Sequence, residues 1–220
     1  HNKMTFGMTY ASSENFILVL SHDEVVHLKC SMINKMPGIY EDKFANLKVG
    51  YTFMMTHPGK KLLFMGQDFG QFHEWDEKVA LDWYLTEEPL HADLQKYYSD
   101  LLHLYRTYPA LYRLERDWHG FQWVNANDGD RSIFSYIRRD ETGKKNLLVI
   151  CNFTPMERAD YRVGVPKRGN YTLVLDTAHG LYKRGDHAPV FRSVKKECDG
   201  QPCSFAYPLP PYGAAIFRFS

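Results

Sequence analysis

The hydrophobic period of this chain changes once, near Ala110 to Gly120, and that change excludes a single uniform architecture. Before it, strand and helix patterns alternate. Phe16-Ile17-Leu18-Val19-Leu20 is a continuous apolar run closed by Ser21, the pattern of a strand buried on both faces in a parallel sheet. After the turn signal Met36-Pro37-Gly38, the residues Tyr40, Phe44, Leu47, Tyr51 and Met54 recur at three- and four-residue spacing. They predict one helical face, which Pro58-Gly59 ends. Lys60 to Gly66 repeats the short buried strand with a glycine exit. A long loop from Gln67 to Pro89, rich in aromatics and carboxylates, leads to a second helix. Its face is Leu90, Leu94, Tyr97, Leu101, Leu104 and Tyr108, and Pro109 closes it.

Beyond Pro109 the period is two. Phe121 to Val124, Ser132 to Arg138, Asn146 to Phe153, Tyr161 to Val165, Tyr171 to Leu175, Val190 to Val194 and Ala214 to Phe219 predict short strands. Gly, Pro, Asn and Asp separate them at hairpin spacing, as in an antiparallel β-sandwich. The expected fold class is therefore α/β (residues 1–112) followed by all-β (residues 113–220). Two strand–helix units cannot close a parallel sheet. A (β/α)8 barrel takes eight of them and about 250 residues. Two alone leave strand edges unpaired and apolar faces wet. The first part reads as the last two units of such a barrel, its earlier units lying outside the chain.

Composition removes several classes of partner. Lys plus Arg number 27 against 26 Asp plus Glu, so neither nucleic acid nor an anionic membrane surface is expected. No apolar run approaches the ~20 residues that span a bilayer, and no signal peptide is visible. The 44% hydrophobic content allows a real core. The chain opens with His1, which reads as a fragment or a processed product. Cys30, Cys151, Cys198 and Cys203 have no Cys-x-x-Cys spacing, and scattered thiols in a reducing cytosol are preferred to a Cys198–Cys203 disulfide.

The apolar run from Phe16 stops in Ser21-His22-Asp23-Glu24, at the end of a parallel strand, where barrel enzymes place their active face. Ser-x-x-Glu is also a capping box, and on local pattern alone that structural role is favoured. A zinc site built on His22 and His27 fails on spacing: five residues turn about 140° around a helix, whereas two ligands on one face stand four apart. No metal and no cofactor are expected. A carboxylate and an imidazole at this position suit a polar substrate. Glycosidic cleavage passes through an oxocarbenium-like transition state served by a nucleophilic carboxylate and a protonated acid. Further carboxylate and imidazole groups hold the reacting sugar and favour its distortion, the role that Asp23 and His22 suit.

Long motifs then carry a resemblance. Glu14-Asn15-Phe16, Leu20 to His27, Lys35-Met36-Pro37-Gly38, Lys43 to Leu47, Thr56 to Gly66 and Leu81-Asp82-Trp83 resemble the bacterial 1,4-α-glucan (glycogen) branching enzymes. So do Tyr108 to Leu111, Cys151 to Pro155 and Val163 to Pro166, which extends the likeness almost from end to end. It implies an α-amylase-type barrel followed by a C-terminal β-sandwich. It implies that His22 binds sugar hydroxyls and that Asp23 is the third catalytic carboxylate, stabilising the distorted transition state. The family's nucleophilic Asp and acid Glu lie on earlier strands, and neither motif occurs here, so the chain alone is expected to be inactive. Trp75, Asp82, Trp83 and Lys35 are the expected substrate contacts, with packing the alternative for the two tryptophans; Trp118 and Trp123 read as packing residues. His57, His73, His91, His103 and His179 read as surface or hydrogen-bonded structural histidines. The family usually has glycine where this chain has Leu28 and Cys30.

The resemblance implies a retaining double displacement. An α-1,4 bond is cut, the glucan is held covalently, and a 6-hydroxyl displaces it to form an α-1,6 branch, without a cofactor. The implied partners are α-1,4-glucan and the missing N-terminal part of the same polypeptide, in the cytoplasm. Two rivals remain: a glucan-binding or barrel-stabilising β module, and a hydrolase of the same superfamily, against which Leu81-Asp82-Trp83 and Thr56 to Lys61 speak.

Overall fold

The computed structural model describes residues 1–13, 15–183 and 186–220; Glu14 of the first quoted motif lies outside them. After a short helix α1 (Asn2–Phe6), strand β1 (Ile17–Leu20), helix α2 (Tyr40–Thr56), strand β2 (Lys60–Leu63) and helix α3 (Pro89–Thr107) follow in order. The rest is β: β3 (Phe121–Asn125), β4 (Ile133–Arg138), β5 (Asn146–Asn152), β6 (Arg158–Val165), β7 (Asn170–Asp176), β8 (Gly180–Leu181), β9 (Val190–Arg192), β10 (Cys203–Leu209) and β11 (Ala214–Phe219).

Helix α2 begins where the sequence turns at Gly38. That glycine has φ +92°, and a Cβ on it would meet Asp42 at 2.6 Å, so the tight entry needs glycine. Asp42 then accepts the Ile39 N–H at 3.3 Å and caps the first turn. Pro89 starts α3, where its missing N–H costs nothing. Leu94, Tyr97, Leu101 and Leu104 of α3 are buried in one core with Phe44, Leu47, Tyr51 and Met55 of α2. The Thr52 and Tyr97 hydroxyls, 2.6 Å apart, join the two helices inside that core.

Strands β1 and β2 pair in parallel, Ile17 opposite Lys60 through Leu20 opposite Leu63, with α2 as their connection. They do not have the two covered faces predicted for them. Ile17 is 57% and Val19 46% exposed, and Leu62 and Met65 are exposed as well. The apolar run is written for neighbours on a sheet face that no described residue covers.

The β region is two antiparallel sheets. One has the order β3-β4-β5-β11-β7-β8, with β9 beside β7; the other pairs β10 with β6. The larger sheet is covered on both sides, which is why β4 and β5 are buried at every position. Alternate residues enter different cores. Phe134, Tyr136, Leu147, Val149 and Cys151 join the helices, whereas Ile133, Ile137, Leu148 and Ile150 meet Val163, Phe205 and Tyr207 of the smaller sheet. The result is three layers: helices, large sheet, small sheet. Strand β10 is absent from the sequence reading because Pro208 interrupts its pattern. The structure tolerates that proline because it falls where the register slips between Tyr207 and Leu209.

Arg138, at the end of β4, is fully buried. It donates to the carbonyls of Gly120, Thr56 and Leu111, at 3.1, 2.5 and 3.3 Å. Burial pulls its pKa down to about 10. One guanidinium thus fastens the end of α2, the turn after α3 and the entry to β3. All four cysteines are free thiols. Among the described residues, no helix is long and apolar enough to cross a membrane.

Candidate active-face cleft

Because β1 and β2 run in parallel, the segments leaving their C-terminal ends emerge side by side. The Phe64 N–H donates to the Leu20 carbonyl at 3.0 Å, and the Gln67 side-chain amide reaches the same carbonyl at 3.3 Å. Further out, the Trp75 N–H donates to Val25 O at 3.0 Å. The two loops are laced together from the strand ends outward.

On the first loop, His22–Glu24 form a single 3-10 turn capped by Ser21, whose Oγ accepts the Asp23 N–H at 3.3 Å. The capping role read in Ser21 is therefore real, although the bond goes to Asp23 and not to Glu24. It does not compete with the chemical reading: the cap fixes the turn, and the turn presents its side chains. His22 Nε2 lies 3.2 Å from Asp23 Oδ1, with the side chains 54% and 72% exposed. Val25 and Val26 are buried and anchor the turn from below. The His22 ring sits 5.9 Å from Phe64 and 6.4 Å, edge-on, from Trp75.

The chain then passes through three left-handed residues, His27 (φ 56°), Leu28 (φ 63°) and Cys30 (φ 66°). Glu74 of the second loop holds this bend. Its carboxylate oxygens accept the Leu28 N–H at 3.0 Å and the Cys30 N–H at 2.7 Å. Two amides of one bend pointing at a single carboxylate make a small anion-binding concavity, filled here by the protein itself. Leu28 and Cys30 are the positions at which the resemblance leads one to expect glycine, and the backbone there has the conformation that glycine supplies without strain.

Between the loops lies a cleft of about 650 Å³. His22, His27, His73, Glu74, Trp75 and Asp82 line it, together with Asp76 to Leu81. His73 Nδ1 lies 2.6 Å from Asp82 Oδ2. Gln71 ties their backbones, accepting the Asp82 N–H at 2.9 Å and donating to His73 O at 3.2 Å. Trp75 packs edge-on against Phe64, with ring centroids 5.1 Å apart.

The predicted site residues thus divide. His22, Trp75 and Asp82 line one cleft; Asp23 touches His22 but is exposed and is not itself in the lining. Trp83 and Lys35 are not in the lining. Trp83 is exposed and leans on Phe69, with centroids 5.3 Å apart, while Lys35 is exposed on the turn before Gly38. Sequence reasoning missed the roles of His73 and Glu74, whose partners lie nine and more than forty residues away. No spacing rule reports such pairs. Among the described residues no cluster has the composition of a metal site.

Residues 123–220 match the family described as alpha amylase, C-terminal all-beta domain. The chain is 55% identical to a 1,4-alpha-glucan branching enzyme of Butyrivibrio fibrisolvens, over 100% of this chain and 35% of that protein. It is 52% identical to the branching enzyme of Aquifex aeolicus (strain VF5), over 80% of this chain and 28% of that one. In fold it is similar to pullulanase type I from Bacillus subtilis str. 168 complexed with maltose, with TM-score 0.68 at 16% identity, covering 93% of this chain and 27% of that one. An alpha-amylase from H. orenii gives TM-score 0.57 at 15% identity, over 93% and 39%. The chain spans about a third of the length of the curated relatives it matches. Over that third, it belongs to the 1,4-alpha-glucan branching enzyme family.

Proposed function

We propose that this chain is part of a 1,4-α-glucan branching enzyme. In this reading, residues 1–112 supply the last two strand–helix units of an α-amylase-type (β/α)8 barrel. Residues 113–220 form the C-terminal β-sandwich that steadies it. The exposed faces of β1 and β2 are the seat of the preceding strands of the same polypeptide. The observation that carries the reading is the Ser21-His22-Asp23-Glu24 turn at the C-terminal end of β1, whose His22 lines the cleft. It occurs in a chain 55% identical over its whole length to a branching enzyme.

The chemistry proposed is a retaining double displacement. An α-1,4 bond breaks as a carboxylate outside this chain attacks the anomeric carbon and an acid, also outside it, protonates the leaving oxygen. The glucan held on the enzyme is then displaced by a 6-hydroxyl, giving an α-1,6 branch as in glycogen. Here His22 holds hydroxyls of the reacting sugar, and Asp23 stabilises positive charge as the ring distorts. Trp75 offers a stacking face. Trp83 and Lys35, outside the cleft, would meet only a longer chain running past it. Glu74, Asp76, Glu77 and Asp82 make the cleft rich in carboxylates, which suits a neutral polyol and repels an anion. No cofactor enters this cycle. Four free thiols support a reducing, cytoplasmic setting.

The test is branching by the complete polypeptide, read by iodine spectra and by debranching analysis. Asp23→Asn is expected to lower kcat by at least ~10²-fold, the scale of losing one transition-state charge stabiliser. The 220-residue chain alone is expected to branch nothing. An Asp23→Asn enzyme with undiminished kcat overturns the assignment.

A further inference from the structure

His73 is an exposed side chain whose orientation is nevertheless fixed. Its side chain is 76% exposed and that of Asp82 only 16%, with 2.6 Å between Nδ1 and Oδ2. Gln71 spans the two backbones, so carboxylate, ring and loop are held as one unit. Stability does not account for this. An exposed ion pair contributes roughly 0–1 kcal/mol, and ordering two side chains offsets much of that. The arrangement fixes the direction of an imidazole instead. With the Nδ1–H given to Asp82, the neutral ring carries its lone pair on Nε2, which has no protein partner among the described residues. The residue lines the cleft two positions before Trp75, and His22, 6.4 Å from that indole, lines the same cleft.

We infer that His73, oriented by Asp82, is a glucan-binding residue of this cleft, its Nε2 accepting a sugar hydroxyl while the glucose ring lies near Trp75. The inference deepens the branching-enzyme reading and rests on its choice of substrate class. It needs no titration and no metal. The ligand class follows from the walls: an aromatic face for the apolar side of a pyranose, imidazole and carboxylate acceptors for its hydroxyls, and negative charge that disfavours phosphorylated sugars. Asp82 is a positioning residue, acting on the sugar through the ring it holds.

The experiment is calorimetric titration of the complete polypeptide with a linear α-1,4-maltooligosaccharide, which reads binding apart from turnover. His73→Ala is expected to raise Kd by about 3- to 10-fold, the span of one net hydrogen bond. Asp82→Asn is expected to raise it less. The His73→Ala/Asp82→Asn double variant should bind no more weakly than His73→Ala alone, because both changes remove one unit. His73→Gln, which keeps a hydrogen-bonding group, should recover part of the affinity. The melting temperature of His73→Ala should stay at the wild-type value, since that side chain is exposed. Unchanged Kd in His73→Ala, additive losses in the double variant, or a wild-type protein that binds no maltooligosaccharide overturns the inference. Histidine-dependent binding in a protein that makes no branches would leave it standing and sink the branching reading.

Discussion

Leu28 and Cys30 show what a single residue costs this loop. A side chain in left-handed backbone is less stable than glycine by about 1–2 kcal/mol, and both residues occupy it, at φ 63° and 66°. Leu28 gains nothing in return, being 95% exposed. The Glu74 carboxylate, which takes the N–H of each, compensates by holding the bend. Leu28→Gly keeps that N–H and removes the Cβ. It is expected to stabilise the protein by about 1 kcal/mol, measured as a shift in denaturant midpoint at constant slope. A lower midpoint would mean that the flexibility of glycine outweighs the strain it relieves. At this scale the sequence displays which residues stand at the positions but not their φ angles. Those depend on a carboxylate 46 residues along the chain.

Among the elements, the corner between α2 and β2 carries a pH dependence. His57, which caps the helix, is buried and donates from Nδ1 to Pro58 O at 3.0 Å. Burial, with the Lys61 and Arg138 charges adding to it, pulls its pKa from 6.5 down to about 4. Acidification below pH 6.5 therefore protonates the unfolded chain before the folded one. Stability should fall as pH drops from 6.5 towards 4, by up to about 3 kcal/mol, and His57→Gln should flatten that slope. Urea titrations at pH 7.5, 5.5 and 4.5 measure it; identical pH profiles for the two proteins would refute it. The elements differ in how openly the sequence announces them. Both long helices are legible because their apolar spacing and their prolines agree. Strand β10 is hidden by Pro208, and the two-residue β8 is too short to have a period. The Phe16–Leu20 run is legible as a strand yet misleading about burial, because hydrophobicity records the environment intended for a segment and not whether its neighbours are present. The cleft is half-legible for a related reason. His22 and Asp23 are adjacent in sequence, whereas the His73–Asp82 pair and the Glu74 clamp exist only once the loops are folded together.

The whole molecule presents one unfinished side. Ile17, Val19, Leu62 and Met65 are exposed on and beside a parallel sheet that has two strands among the described residues. Burying such side chains is worth roughly 1.5–3 kcal/mol each, so copies of the isolated chain have reason to meet there. Sedimentation of the purified chain is expected to show concentration-dependent association, weakened by Val19→Lys. A monodisperse monomer across the micromolar range would show that this surface does not attract. The opposite side is finished. Arg138 reaches from β4 to carbonyls on three other segments, and the large sheet lends one face to the helices. The β domain is consequently not a detachable accessory. Excising it at Gly120 would strand a charged fork with two of its three acceptors gone and turn a wall of Phe134, Tyr136 and Val149 towards water. Any evolutionary or engineered shuffling of this domain must carry α2 and α3 with it.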